Sequence, residues 1–146
     1  DLNNPNNLFR RGLLAADVAW QGKVSGVYQL PFGIDLSGRL AASQGFPERT
    51  TVRVATATVR LNQGTVTLDA EPRGFTRLPS YAMVDLGLRK SIKVNEGLTV
   101  KPNMDLFNVL NVDTVTSRIT QLGPTYGRVS GMVSGRMMRL GFDLTF

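Results

Sequence analysis

The chain has 146 residues, 42% of them hydrophobic and 19% charged, with a formal net charge of +6. It contains no cysteine and no histidine, which removes thiol nucleophiles, disulfides, the usual zinc sites and imidazole general bases. The basic residues are scattered, adjacent only at Arg10-Arg11 and Arg89-Lys90, and form no aromatic-interleaved patch, so no nucleic-acid partner is expected.

No apolar run approaches the roughly 18 residues of a membrane helix. A barrel strand crosses with about 9–11 residues of which alternate ones are apolar, so alternation is the informative signal. Residues 1–16 read as loop. The opening Asp1-Leu2-Asn3-Asn4-Pro5-Asn6-Asn7 is polar and turn-like, with neither a basic nor an apolar leader region. An exported protein with this sequence is expected to carry its signal upstream, with Asp1 at a cut. Alternation begins near Val18: Val24, Gly26, Tyr28 and Leu30 share one side, and Ser25, Val27 and Gln29 the other. Leu30-Pro31-Phe32-Gly33 predicts a tight turn, since Pro presets φ and Gly permits positive φ. Ile34, Leu36, Gly38, Leu40 and Ala42 then alternate with Asp35, Ser37, Arg39, Ala41 and Ser43. Residues 18–44 therefore predict a long antiparallel hairpin.

Residues 45–79 predict a long loop carrying its own small hairpin. Thr50 to Leu61 and Thr65 to Ala70 are rich in Thr and Val and would pair around Asn62-Gln63-Gly64. A third long strand starts near Ser80, with Val84, Leu86 and Leu88 against Asp85, Gly87 and Arg89; Asn95-Glu96-Gly97 turns the chain. The fourth, from Leu98, sets Leu98, Val100, Met104 and Leu106 against Thr99, Lys101, Asn103 and Asp105. Pro102 falls on its apolar side and removes a ladder donor, which a nearby bulge would accommodate. A second long loop, about residues 112–135, is rich in Gly, Ser and Thr. The closing strand, about residues 136–146, sets Met138, Leu140, Phe142, Leu144 and Phe146 against Met137, Arg139, Gly141, Asp143 and Thr145. A strand running to a final aromatic differs from the frayed polar end usual in soluble domains.

The expected fold is all-β: an antiparallel transmembrane β-barrel segment spanning 1–146. It has about five long strands, of about 10–13 residues against the usual 5–6. Short turns at 31–33 and 95–97 alternate with long loops at about 45–79 and 112–135, as periplasmic turns and external loops do in outer-membrane barrels. Closed membrane barrels need at least about eight strands, so this segment is not expected to close alone. The polar sides carry Asp35, Arg39, Asp85, Arg89, Lys101, Asn103, Asp105, Arg139 and Asp143, the candidates for facing a wet lumen. Cross-strand structural pairing and ligand contact are the two roles open to them. Trp20, Tyr28 and Phe142 fit either interfacial aromatic girdles or ordinary β packing. Phe107 fits packing near the rim, and Glu71 with Arg73 either a contact to neighbouring segments or an exposed pair. No Gly-x-Ser-x-Gly elbow or convergent acid pair stands out, so the chain is not expected to be an enzyme.

Six stretches, in this order and spacing, carry a family resemblance: Ser25-Gly26-Val27-Tyr28-Gln29-Leu30-Pro31-Phe32-Gly33; Glu71-Pro72-Arg73-Gly74 with Arg77-Leu78-Pro79; Val84-Asp85-Leu86-Gly87-Leu88-Arg89-Lys90; Asp105-Leu106-Phe107-Asn108-Val109-Leu110-Asn111; Leu122-Gly123-Pro124-Thr125-Tyr126-Gly127-Arg128; and the terminal strand. Together they resemble the C-terminal barrel of TonB-dependent outer-membrane receptors, especially the group with a carboxypeptidase-regulatory-like N-terminal domain. The resemblance covers nearly the whole chain. It implies a barrel of about 22 strands in the outer membrane of a Gram-negative-type bacterium. Such a receptor imports a scarce ligand: a metal chelate, cobalamin or a glycan. The implied partners are outer-membrane lipid, the remainder of the barrel and its plug domain, the TonB energy-transducing complex and the barrel-assembly machinery. A small-molecule or glycan ligand completes the set; no cofactor is implied. Leu140, Phe142, Leu144 and Phe146 would form the assembly signal. The plug and energy-coupling box are N-terminal in the family and do not occur in this sequence, so this segment alone is expected to transport nothing. The competing expectation is a soluble β-sandwich serving as a binding or adhesin module. It accounts for the Thr/Val alternation but not for the terminal Phe or the loop asymmetry.

Overall fold

The computed structural model describes Phe9 and residues 12–62 and 64–146. The expectations for Arg10-Arg11, for Gln63 and for most of the opening loop lie outside the described residues. Ten strands form among the described residues: β1 Gln21–Leu30, β2 Ile34–Ser43, β3 Thr51–Ala55, β4 Thr65–Asp69, β5 Tyr81–Lys90, β6 Ile92–Lys93, β7 Thr99–Phe107, β8 Val115–Arg118, β9 Val129–Met132 and β10 Met137–Thr145. No helix occurs among the described residues, and every strand pairing is antiparallel. The chain divides into two compact units.

One unit comprises Gln21–Ser43, Tyr81–Asp113 and Val133–Phe146. It is a sheet in the order β1-β2-β5-β7-β10, with the short β6 also on β7. The five long strands are those expected from alternation, trimmed to nine or ten residues each. Among the described residues the sheet is not closed: β1 pairs only with β2, and β10 only with β7. At the β1–β2 turn Phe32 as well as Gly33 takes a left-handed φ, 67° and 70°. The Ser91 amide donates to the Gly33 carbonyl at 2.8 Å, which fastens this turn to the end of β5. The second short connection is closed by the Val94 amide donating to the Leu98 carbonyl at 2.9 Å and by Asn95 Oδ1 accepting from the Gly97 amide at 3.0 Å. Both short connections lie on one rim, because Ile34 at the start of β2 pairs with Lys90 at the end of β5. The long connections leave from the opposite rim.

The bulge expected near Pro102 is absent. Pairing of β7 with β10 runs without a shift through Phe142↔Pro102. On the other side the ladder opens between Arg89↔Asn103 and Ile92↔Val100, with three steps on each strand. The missing N–H is thus absorbed by a gap in the ladder, not by an inserted residue.

Register makes the sheet two-faced. Tyr28, Leu36, Leu88, Met104 and Leu140 form one continuous row across all five strands. Gly26, Gly38, Leu86, Leu106 and Met138 form the next row on the same face. Nothing among the described residues covers this face: Tyr28, Leu140 and Phe142 are 67%, 67% and 68% exposed.

The other unit comprises Asp1–Trp20, Gln44–Ser80 and Thr114–Met132. The β3–β4 hairpin is shorter than its Thr/Val content suggested: pairing stops at Ala55↔Thr65. Beyond it Thr56, which is exposed, closes the turn, its amide and hydroxyl both donating to the Gly64 carbonyl. Leu61 folds back to complete a small core with Val66 and Leu68, packed against Val52 and Val54. The second long loop is not wholly irregular, because β8 and β9 pair within it. Register shifts at Ser117 break the alternation that would have revealed them. Arg77 gathers this unit, pairing with the Asp17 carboxylate and donating to the carbonyls of Asp17 and Gly45 at 3.2 and 3.3 Å. Glu71 makes no ion pair with Arg73; its carboxylate accepts from the hydroxyls of Thr50 and Thr76.

Candidate functional site

Strand alternation sends every second side chain to the sheet's other face, and there the charged residues collect. The structure brings all nine sequence candidates, Asp35, Arg39, Asp85, Arg89, Lys101, Asn103, Asp105, Arg139 and Asp143, onto this one face. Their register is systematic. Arg39 stands opposite Asp85, and Asp35 opposite Arg89. Asp105 stands opposite Arg139, and Lys101 opposite Asp143. Eight charges thus form four cross-strand pairs of opposite sign. One pair is closed: Arg139 donates through Nη2 and Nε to Asp105 Oδ2 at 2.6 and 3.0 Å. The guanidinium also lies 5.5 Å from the centre of the Phe107 ring, within cation–π range. Phe107, expected to pack near the rim, does so by carrying this arginine.

Two glycines make room on the polar face. A Cβ at Gly87 would lie 2.4 Å from Ser37 Oγ and 3.0 Å from Asp105 Oδ1. A Cβ at Gly141 would lie 2.8 Å from Asn103 Oδ1. Beside Gly87 lies an open hollow of about 370 Å³, bordered by Ser25, Ser37, Arg39, Asp85, Asp105 and Phe107. Its border sets one base, Arg39, against two acids, Asp85 and Asp105, and Asp105 is already engaged by Arg139.

Sequence reasoning missed Asn108, the most buried large side chain among the described residues at 2% exposure. It has a left-handed φ of 51°. Its Nδ2 donates to the carbonyls of Val112 and Ser134 at 2.9 and 2.8 Å, and its Oδ1 accepts from the Val112 amide at 2.9 Å. Its own amide donates to Asp85 Oδ1 at 3.0 Å, so Asp85 is tied to the end of β7 as well as facing Arg39. Asn111, also left-handed, accepts from the Arg136 amide at 2.9 Å. The two asparagines bracket the exit of β7 against the entrance to β10. The spacing Asn-x-x-Asn was the visible signal, but its partners lie some 25 residues on.

The assembly-signal candidates Leu140, Phe142 and Leu144 share the uncovered apolar face, and Phe146 follows the last ladder pair, Thr145↔Thr99. Among the described residues no group of three metal-ligating side chains comes together. Comparison with protein-family models, with curated proteins and with solved structures finds no match to this chain.

Proposed function

We propose that this chain forms part of the wall of an outer-membrane β-barrel, at the C-terminal end of a TonB-dependent receptor that imports a scarce ligand. The observation that carries the reading is the two-faced sheet. Its strands have nine or ten residues, the length needed to cross about 30 Å of hydrocarbon at a tilt. One face is apolar across all five strands and uncovered, as a lipid-facing surface must be. The other holds eight charges within the strands, Arg39 and Asp85 at their middle, which lipid would penalise and a wet lumen accepts. Short connections at one rim and long ones at the other add the usual periplasmic and external asymmetry. In this reading the edges of β1 and β10 pair with further strands of the same barrel, since an open edge in lipid leaves backbone groups unsatisfied. The segment contributes wall, charged lumen lining and the assembly signal ending at Phe146, and no catalysis.

The chain has no cysteine, so within this segment site-directed spin labelling needs no background changes. Single cysteines replacing Leu88 or Leu140 on the apolar face, and Ser37 or Asn103 on the polar face, are labelled in the full-length receptor in lipid bilayers. The expected result is high collision with oxygen at Leu88 and Leu140, and with a water-soluble nickel complex at Ser37 and Asn103. Shielding of Leu88 and Leu140 from both reagents would mean a second protein layer, and would replace the barrel by a sandwich.

A further inference from the structure

The four charge pairs are unevenly placed. All four lie at two of the sheet's seams, β2–β5 and β7–β10. The β1–β2 seam sets Gln29 opposite Asp35 and Ser25 opposite Arg39, and the β5–β7 seam sets Gly87 opposite Asp105 and Arg89 opposite Asn103. Neither contains a charge pair. The seams without pairs are those joined by short connections, at residues 31–33 and 91–98. The seams with pairs are those whose strands are separated by the long segments 44–80 and 108–136.

A tight turn dictates register; a long connection does not. Loop-closure entropy varies only logarithmically with length, so the length of residues 44–80 does not by itself set the register of β5 on β2. The ends of that segment are tied by the Leu78 amide donating to the Phe46 carbonyl at 3.0 Å and the Glu48 amide to the Thr76 carbonyl at 2.9 Å, and the charge pairs add to these ties. Apolar patterning rejects a slip of one residue, which would turn every side chain to the wrong face, but it tolerates slips of two or four. From these placements we infer that the charge pairs are a register device, supplied where no tight turn dictates the register.

The spacing supports this in detail. In each of the four strands an acid and a base stand four residues apart: Asp35 and Arg39, Asp85 and Arg89, Lys101 and Asp105, Arg139 and Asp143. A slip of two residues at β2–β5 separates both pairs, leaving Arg39 opposite Met83 or Gly87. A slip of four sets Arg39 against Arg89 in one direction and Asp35 against Asp85 in the other. At β7–β10 the same slip sets Asp105 against Asp143, or Lys101 against Arg139. The native register is therefore the one even register with both pairs attractive, and the four-residue slips bring like charges together. The inference concerns the sheet alone and holds whether its apolar face meets lipid or protein.

Oxidative cross-linking reads the register directly. Ala41 faces Met83 in the native register, and a four-residue slip brings Ser37 there instead. Cysteines at positions 41 and 83 therefore report the native register, and cysteines at 37 and 83 the slipped one. With the native charges, the 41–83 pair is expected to close and the 37–83 pair to remain open. Exchanging the charges of β2 alone, by Asp35→Arg with Arg39→Asp, sets like charges opposite in the native register and opposite charges in the slipped one. The expected result is at least a threefold fall in 41–83 cross-link and the appearance of 37–83 cross-link. Exchanging β5 as well, by Asp85→Arg with Arg89→Asp, restores both attractive pairs with their signs reversed and should return the 41–83 yield. Unchanged 41–83 yield in the β2 exchange overturns the inference. So does a fourfold variant that fails to fold or to recover the native cross-link.

Discussion

Asn108 concentrates more structural consequence than any other single side chain described. It is buried, left-handed, and bonded through its side chain to Val112 twice and to Ser134 once. Asn108→Ala would leave the amide of Val112 and the carbonyls of Val112 and Ser134 without these partners and place a Cβ-bearing residue without local hydrogen bonding at positive φ. The expected loss is roughly 2–4 kcal/mol, from the desolvation of stranded groups and the left-handed backbone together. Asn108→Gly loses the same side-chain bonds but not the backbone fit, so it should be less damaging than Ala by about 1 kcal/mol. Chemical denaturation of the three chains separates the two contributions. Equal stability of all three would mean that the bracket is decorative. The pattern Phe107-Asn108-Val109-Leu110-Asn111 was plain in the sequence, but burial was not. Its key acceptor, the Ser134 carbonyl, is brought close only by the β7–β10 ladder, and a local reading has no access to that.

At the scale of the strand, alternation identified all five long elements of the sheet and the sorting of every charged candidate to one face. A period of two survives in sequence wherever the two faces differ in polarity. It failed where the faces do not differ or where the ladder is irregular. The strands β8 and β9 carry Ser117, Ser130 and Gly131 across a shifted register, and nothing periodic remains to be read. Pro102 misled in the opposite sense, since the ladder opens beside it without gaining a residue. Glycines within strands are a further signal that sequence left unassigned. Gly87 lies under Ser37 Oγ, which donates to the Gly87 carbonyl at 3.3 Å, and its missing Cβ leaves the space that Ser37 and Asp105 occupy. Gly87→Ala should destabilise the sheet by about 1–2 kcal/mol through overpacking. In a Ser37→Ala background most of that loss should disappear, because the nearest obstructing atom is gone. A double-mutant cycle with no coupling between the positions would show that Gly87 serves some purpose other than space.

At the scale of the whole chain, the decisive quantity is apolar surface that the described residues leave uncovered. A sheet ordinarily buries one face against another layer. Here Val24, Tyr28, Met138, Leu140 and Phe142 are all more than 60% exposed, and the sheet is open at β1 and β10. A contiguous apolar surface of this kind, flanked by open strand edges, promotes association in water. The chain on its own is therefore expected to self-associate in aqueous buffer and to become monodisperse in detergent micelles, as followed by light scattering across the critical micelle concentration. Arginine at Leu86, in the middle of the apolar face, should lower stability in bilayers by about 2–4 kcal/mol, whereas arginine at Leu144, near the rim, should cost about 0–1 kcal/mol. A depth gradient of that form belongs to a hydrocarbon slab with wet boundaries. A protein partner packed over the face would instead penalise both sites according to local fit. Monodisperse monomer in plain buffer would remove the basis for a lipid-facing wall, while leaving the charge-paired register of the opposite face intact.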